Sequence, residues 1–369
     1  MKMEKNIFKG IVMLITVIFS FITIKAPSQP TSPTLKIGDK APGLMVTKWV
    51  KGNPVSGFEA GKVYVVEFWA TWCQPCIAGM PHLSDLADKY RKDISVIGVS
   101  IMERGDDILS RVENFVQKSG DKMRYLVAAD SANYMRDNWL YGAGERGIPY
   151  SFIVDKNGEI AWCGYPKSLD RVLPLIIEGK WDNKKAELDR KEGKRLSIID
   201  GNDIVAKLNP FMGNPGNPIG ALAEIEKILL ENPGLKYYPK LGHFTFWSLI
   251  KTDPDMAVEF AKEWFAINDF PSWKTVTDAV MNMVGRNVKL PKAVYELAAE
   301  SFQAQIDNYP GSMNIPVTFN EIARLEYLAG NKEKAITAQV RAIEEAKRNV
   351  SFSPSELVKF EENLSNYKK

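Results

Sequence analysis

Seven consecutive residues, Val63-Tyr64-Val65-Val66-Glu67-Phe68-Trp69, are almost unbroken apolar, β-branched and aromatic sequence, and Cys73-Gln74-Pro75-Cys76 follows directly after a three-residue turn. A strand that is apolar at odd and even positions alike must be covered on both faces, which predicts a central parallel strand. A helix is then expected over Gln74 to Tyr90, so two thiols fall where a buried strand becomes a helix. A cysteine at a helix start lies against about half a unit of positive partial charge and several unpaired N–H groups, which favours its thiolate. The two intervening residues let the second sulfur reach the first and close a small ring. Pro75 in the first turn sacrifices no hydrogen bond.

The same spacing serves a structural disulfide or half of a zinc site. Zinc would need two further ligands, and only Cys163, His82 and His243 remain as soft donors. A strand-to-helix turn beside Trp72, with no second CxxC, points instead to redox chemistry that needs neither metal nor cofactor. Three cysteines exclude a disulfide scaffold. The third, Cys163, reads as a small buried hydrophobe. Two histidines leave hydrolytic triads and metallohydrolase sites without their usual parts. His82, on the active-site helix, reads as a surface or packing residue.

A chain of 369 residues exceeds one typical core and suggests two domains. Its net charge of +3 resides in the first 26 residues, where Lys2, Lys5, Lys9 and Lys25 face Glu4, and beyond them 44 basic residues balance 44 acidic ones. No nucleic-acid footprint remains. Basic residues ahead of the apolar stretch Ile11 to Ile24 and the turn-forming Ala26-Pro27 read as an export signal over 1–26, or an uncleaved membrane anchor. Either way the bulk of the chain is expected outside the cytoplasm, in a periplasmic or extracytoplasmic compartment where disulfides persist.

Beyond the leader the pattern alternates. A short strand is expected near Leu44 to Thr47, then the central strand and its helix. Ile94 to Ser100 reads as a second buried strand, Asp106 to Lys118 as a helix, Tyr125 to Ala128 as a strand and Ser131 to Leu140 as a helix. Ile148 to Val154 and Glu159 to Cys163 flank Asp155-Lys156-Asn157-Gly158, whose Asn-Gly step favours a hairpin turn. A helix over Ser168 to Ile177 closes the unit. Strands and helices that end in an antiparallel hairpin argue for a mixed α/β sandwich.

Phe68-Trp69-Ala70-Thr71-Trp72-Cys73-Gln74-Pro75-Cys76 resembles the active-site sequence of thioredoxin-fold proteins, and the extra material between Ser100 and Gly147 resembles the insertion of their TlpA/ResA-like thiol-disulfide oxidoreductase branch. The likeness spans about residues 35 to 180. It implies a redox disulfide between Cys73 and Cys76, with Cys73 as nucleophile and Cys76 as resolving cysteine. Pro81 matches the kinking proline of the active-site helix, and Gly147-Ile148-Pro149 matches the cis-proline loop, which implies that Ile148 and Pro149 bind the partner peptide beside Trp72 and Pro75. Glu67 stands at the place of the family's buried acid and would take the proton from Cys76. Read from the residues alone, Glu67 is a carboxylate in an apolar strand whose burial should raise its pKa, or else a strand-end acid reaching solvent or a structural salt bridge. Trp69 is either a shield for the sulfurs or plain packing, and Thr71 has no assignable chemistry. A peroxidase of the peroxiredoxin type shares the fold but needs a threonine three residues before its cysteine, whereas Thr71 is two before Cys73. Likeness, Ile148 and Glu67 lean towards a reductant of protein disulfides, which implies a membrane thiol-electron donor of the DsbD/CcdA type.

From Trp181 to Arg195 charges alternate in sign, as in a solvated helix or linker. Gly213-Asn214-Pro215-Gly216-Asn217-Pro218 is too turn-dense for a helix or strand to cross. Beyond it helices are expected over Ala221–Leu230, Met256–Ile267, Ala293–Asn308, Phe319–Leu328, Lys332–Arg348 and Ser353–Tyr367. Alignment on Ala257, Ala293 and Ala335, 36 and 42 residues apart, fits paired-helix repeats. The last pair resembles a tetratricopeptide repeat at Phe319, Ile322, Ala323, Gly330, Ala335 and Ala342, and departs from it at Glu326 and Lys347. The expected organisation is a signal or anchor over 1–26, a thioredoxin-like α/β sandwich over 31–181, a charged, Gly/Pro-rich linker over 182–218 and an all-α, helical-repeat-like domain over 219–369. Two functions follow from it: an exported disulfide reductase, or a binding scaffold working through its helical repeats with an idle redox domain.

Overall fold

Strand β2 (Val63–Trp69) is buried at every position, as its two-faced apolar composition requires. This computed structural model describes residues 34–213, 216–267, 272–308, 313–349 and 351–369, so the expected signal or anchor segment lies outside the described residues. β2 pairs in parallel with β3 (Ile94–Ser100) on one side and antiparallel with β5 (Tyr150–Val154) on the other. With β1 (Lys48–Lys51), β4 (Leu126–Ala129) and β6 (Ile160–Gly164) they form one mixed sheet of order β1-β4-β3-β2-β5-β6. The β5–β6 hairpin turns where the Asn-Gly step predicts it, with Gly158 at φ 73°.

Side chains alternate across a strand, so β2 splits its residues between two cores. Val63, Val65 and Trp69 pack under helices α1 (Gln74–Lys89), α2 (Ile108–Ser119) and α3 (Leu169–Ile177). Tyr64, Val66 and Phe68 face the other way, onto Ile97, Trp139, Phe152 and the leader residues Leu35 and Ile37. The first half of the chain is therefore the expected thioredoxin-like sandwich. Two elements differ from the expectation. The first strand lies at Lys48–Lys51 rather than Leu44–Thr47, because an edge strand with a charged, weakly apolar sequence is positioned by its partner, here through Lys48↔Ala129 and Trp49↔Ala128. The helix expected over Ser131 to Leu140 starts later, after the Asp130 carboxylate has accepted the N–H groups of Ala132 and Met135, and winds as a π-helix over Arg136–Tyr141.

The charged stretch after Trp181 forms α4 (Asn183–Ile199), capped by Asp182, whose carboxylate accepts from Lys184 N and Lys185 N. One face of α4 is docked on the sandwich. Glu187 accepts the N–H of Ile37, Arg190 donates to the carbonyls of Leu35 and Ala143, and Lys194 donates to Ala143 and pairs with Glu145. After the short α5 (Val205–Leu208) the chain is helical throughout: α6 (Pro218–Glu231), α7 (Pro239–Thr252), α8 (Pro254–Ile267), α9 (Trp273–Gly285), α10 (Lys292–Asn308), α11 (Ile315–Leu328), α12 (Lys332–Arg348) and α13 (Pro354–Lys368). The all-α second half matches the expected class. Helices α7 and α9 were not expected. In α7, eight positions from Leu241 to Ile250 are buried, so the helix lacks the polar face that periodicity detects.

Gly242 sets how closely α7 meets α8. A Cβ there would stand 2.5 Å from the Trp264 ring, which is buried and held by its N–H donating to the Tyr237 carbonyl. Gly242→Ala is therefore expected to destabilise the helical half by about 1–3 kcal/mol through overpacking, despite alanine's better helix propensity. Urea unfolding followed by tryptophan fluorescence reads this; an unchanged or raised midpoint contradicts the packing described.

Candidate active site

Cys73 is the N-cap of α1, with extended backbone (φ −84°, ψ 95°), and its Sγ accepts from the N–H of Cys76 at 3.3 Å. Pro75 occupies the first turn, where its missing N–H has no intrahelical partner. The two sulfurs are joined, with Cα atoms 5.3 Å apart. Helix position suggests an exposed Cys73 and a sheltered Cys76, yet in this closed ring the two are equally buried, at 3% and 4% exposure. What distinguishes them is place on the helix: Cys73 caps its positive end, and Cys76 lies inside it, against the cavity described next.

A cavity of about 380 Å³ opens behind Cys76. Glu67 and Tyr125 are among its walls, Pro149 and Pro75 border it, and Asn308 at the end of α10 reaches it from the helical half. The Ile148–Pro149 bond is cis, and Pro149 is buried while Ile148 is partly exposed. Trp72 is 38% exposed beside the disulfide, and its indole N–H donates to the Met102 carbonyl at 3.0 Å. Trp69 is 1% exposed and belongs to the core. His82 forms an exposed pair with Asp170 at 2.8 Å, consistent with a surface residue. Of the residues singled out from the sequence, Glu67, Pro75, Cys76 and Pro149 line this cavity, while Cys73 adjoins it through its bond to Cys76 and Ile148 and Trp72 are not among its walls. Among the described residues no group of three His, Cys, Asp or Glu side chains is arranged to hold a metal.

Glu67 has the parity of Val63, Val65 and Trp69, so it points under α1 towards the cavity. Its cross-strand partners are Gly98 and Ser151. Gly98 leaves room that Tyr125 fills, since a Cβ there would stand 2.8 Å from the tyrosine ring. The Ser151 hydroxyl donates to the Glu67 carboxylate. Burial nevertheless dominates and pushes the Glu67 pKa from 4.5 up to about 8, with the Ser151 bond opposing it. Burial also raises Tyr125. Ser151 and Tyr125 beside Glu67, and the Glu103 carboxylate that accepts from Thr71 N and Thr71 Oγ1, were not foreseen. Only strand register could have nominated Ser151, and nothing in the sequence pattern nominates Glu103. Cys163 is buried with bonds to Tyr150 and Arg190, and burial raises its pKa, which makes it an inert thiol.

A cysteine pair at the start of a helix, backed by a buried acid whose pKa burial raises to about 8, places this domain in the class of thioredoxin-fold dithiol proteins. The sequence family described as AhpC/TSA matches residues 37–163. Protein FixW of Rhizobium leguminosarum is 35% identical over 182 residues, which is 47% of this chain and 80% of that protein. Thiol-disulfide oxidoreductase ResA of Bacillus anthracis is 30% identical over 162 residues, 43% of this chain and 87% of ResA. A solved thioredoxin-family thiol:disulfide interchange protein from Chlorobium tepidum TLS is 26% identical and covers 38% of this chain and 97% of its own, with a TM-score of 0.32. Through its first half the chain belongs to the AhpC/TSA family of thioredoxin-fold proteins, and its relatives include the thiol-disulfide oxidoreductase ResA.

Between about pH 4.5 and pH 8 the folded protein holds a proton on Glu67 that the unfolded chain has released. The stability owed to that neutral acid is complete below the lower value and is lost as pH rises through the higher one. Oxidised Glu67→Gln, permanently neutral, should therefore gain on the wild type by a few kcal/mol, in order of magnitude, as pH is raised through this window. Chemical denaturation at a series of pH values measures it, and a difference independent of pH contradicts the raised pKa.

Proposed function

We propose that this chain is an exported thiol-disulfide oxidoreductase that reduces protein disulfides. The observation that carries the reading is the Cys73–Cys76 pair at the start of α1 with Glu67 on the same cavity as Cys76. In the dithiol state the Cys73 thiolate attacks one sulfur of a substrate disulfide. The substrate S–S bond breaks, its departing sulfur leaves as a thiolate and takes a proton, and a mixed disulfide joins Cys73 to the other sulfur. In molecules whose Glu67 is ionised, a fraction that rises as pH approaches about 8, Cys76 then gives its proton to the Glu67 carboxylate and attacks Cys73 Sγ. The second substrate sulfur leaves as a thiolate and is protonated, two electrons have passed to the substrate, and the enzyme is left as the Cys73–Cys76 disulfide.

Trp72, Pro75, Ile148 and Pro149 form the proposed docking surface for the substrate peptide, with the backbone of Ile148 offering an added-strand contact. Export rests on the basic and then apolar N-terminal sequence. A reductant in an oxidising compartment must be recharged, so a membrane thiol-electron donor is part of the proposal. The helical half is read as irregular paired-helix repeats of tetratricopeptide type: α11 and α12 are joined through Gly330 at φ 79°, and Ala323, Ala335 and Ala342 are fully buried at the contacts that let the helices approach.

Reduction of a model protein disulfide, with dithiothreitol as electron source, tests the reading. Wild type is expected to accelerate it, and Cys73→Ser to fall to the uncatalysed rate. Glu67→Gln should keep the first attack but slow release of substrate by about tenfold or more, and lose the rise in rate near pH 8. Equal background rates for wild type and Cys73→Ser would overturn the enzyme and leave the scaffold reading. Cys76→Ser should accumulate mixed disulfides whose partners mass spectrometry identifies.

A further inference from the structure

Thr71, two residues before the nucleophile, is held by a group that the proposed chemistry does not use. The Glu103 side chain is 2% exposed, and its carboxylate accepts from Thr71 N at 2.7 Å, Thr71 Oγ1 at 2.6 Å and Ser100 Oγ at 2.8 Å, with an Arg111 guanidinium nitrogen 4.0 Å away. Both donors of one residue are thus tied to one buried carboxylate. Met102, the preceding residue, has φ 58°, a left-handed conformation that non-glycine residues rarely hold unless their surroundings impose it. Its carbonyl receives the Trp72 indole N–H, and the Arg104 guanidinium lies 4.4 Å from the centre of the Trp72 ring. Three successive residues after β3, Met102 to Arg104, therefore grip the two residues before Cys73.

We propose that Glu103 is a positioning residue for the redox reaction: by latching Thr71 it sets the turn through which the chain enters α1 and so holds Cys73 Sγ at the helix terminus. The inference rests on Cys73 being the nucleophile. Stabilisation of a thiolate by a helix falls off within the first turn, so a small shift of the cap costs much of it. A carboxylate near a sulfur would by charge alone oppose thiolate formation. The two effects of Glu103 on Cys73 therefore have opposite signs.

That opposition supplies the test. Reduced protein in the Cys76→Ser background is alkylated with iodoacetamide across a pH series, and disulfide reduction is assayed with Cys76 intact. Glu103→Ala should raise the apparent pKa of Cys73, lower its alkylation rate at neutral pH by about fivefold, and cut kcat about tenfold while KM stays within about twofold. Glu103→Gln removes the charge but keeps an acceptor for Thr71, so it should leave kcat within about twofold of wild type and the Cys73 pKa at or below the wild-type value. A folded Glu103→Ala protein whose Cys73 titrates at or below the wild-type pH overturns the proposal. Should Glu103→Ala fail to fold, Thr71→Val, which deletes only the hydroxyl bond, must shift the profile in the same direction by a smaller amount; an unchanged profile is equally fatal. Because alkylation does not require turnover, a wild type that fails to reduce the model disulfide counts against the proposed function, while the thiol profile alone decides the role of Glu103.

Discussion

Burial of β2 on both faces is the constraint from which the site descends. Each of its large apolar side chains is worth about 1.5–3 kcal/mol when removed from water, and together they leave the strand no second register, since a one-residue slip would exchange its two faces. A strand so held delivers the chain to one point, and the helix that begins there receives Cys73 as its cap. The same alternation turns Glu67 inward between Val65 and Trp69. The apolar packing that fixes the strand is thus also what denies the carboxylate its solvent and lifts its pKa to about 8.

Carboxylates recur where this fold must end one structural unit and begin another. Asp130 collects the N–H groups ahead of the π-helical turn, Glu187 takes Ile37 N as α4 meets the leader, and Asp200 accepts Lys240 N and Leu241 N at the start of α7. Each satisfies donors that neither a ladder nor a helix can reach, which is the need created wherever elements change direction inside a protein. Glu103 belongs to this set. Two of its three donors belong to Thr71, two residues before Cys73.

The helical half is tied to the sandwich through α4 rather than merely following it. Arg190 and Lys194 both bond to the Ala143 carbonyl, Arg190 also reaches Cys163 and Glu187 accepts Ile37 N, so a helix that is charged along its sequence spends three of its charges on the sandwich. Alternating charge reads as solvated because the pattern does not say which partner waits on one face. Asn308 at the cavity brings the end of α10 to the redox site, a proximity that joins positions more than two hundred residues apart.

The redox pair, its helix, the hairpin and the class of both halves were legible in the sequence because each depends on local chemistry: apolar runs, proline and glycine conformations, and the reach of a sulfur across two residues. The edge strand at Lys48 and helix α7, buried through most of its middle, were not, since neither carries the periodic contrast between wet and dry faces on which such reading relies. Sequence determined which residues can do the chemistry. Tertiary structure decided their company: Ser151 opposite Glu67, Tyr125 in the space left by Gly98, and Glu103 on Thr71 are matters of strand register and loop path, set by packing between segments that are distant along the chain.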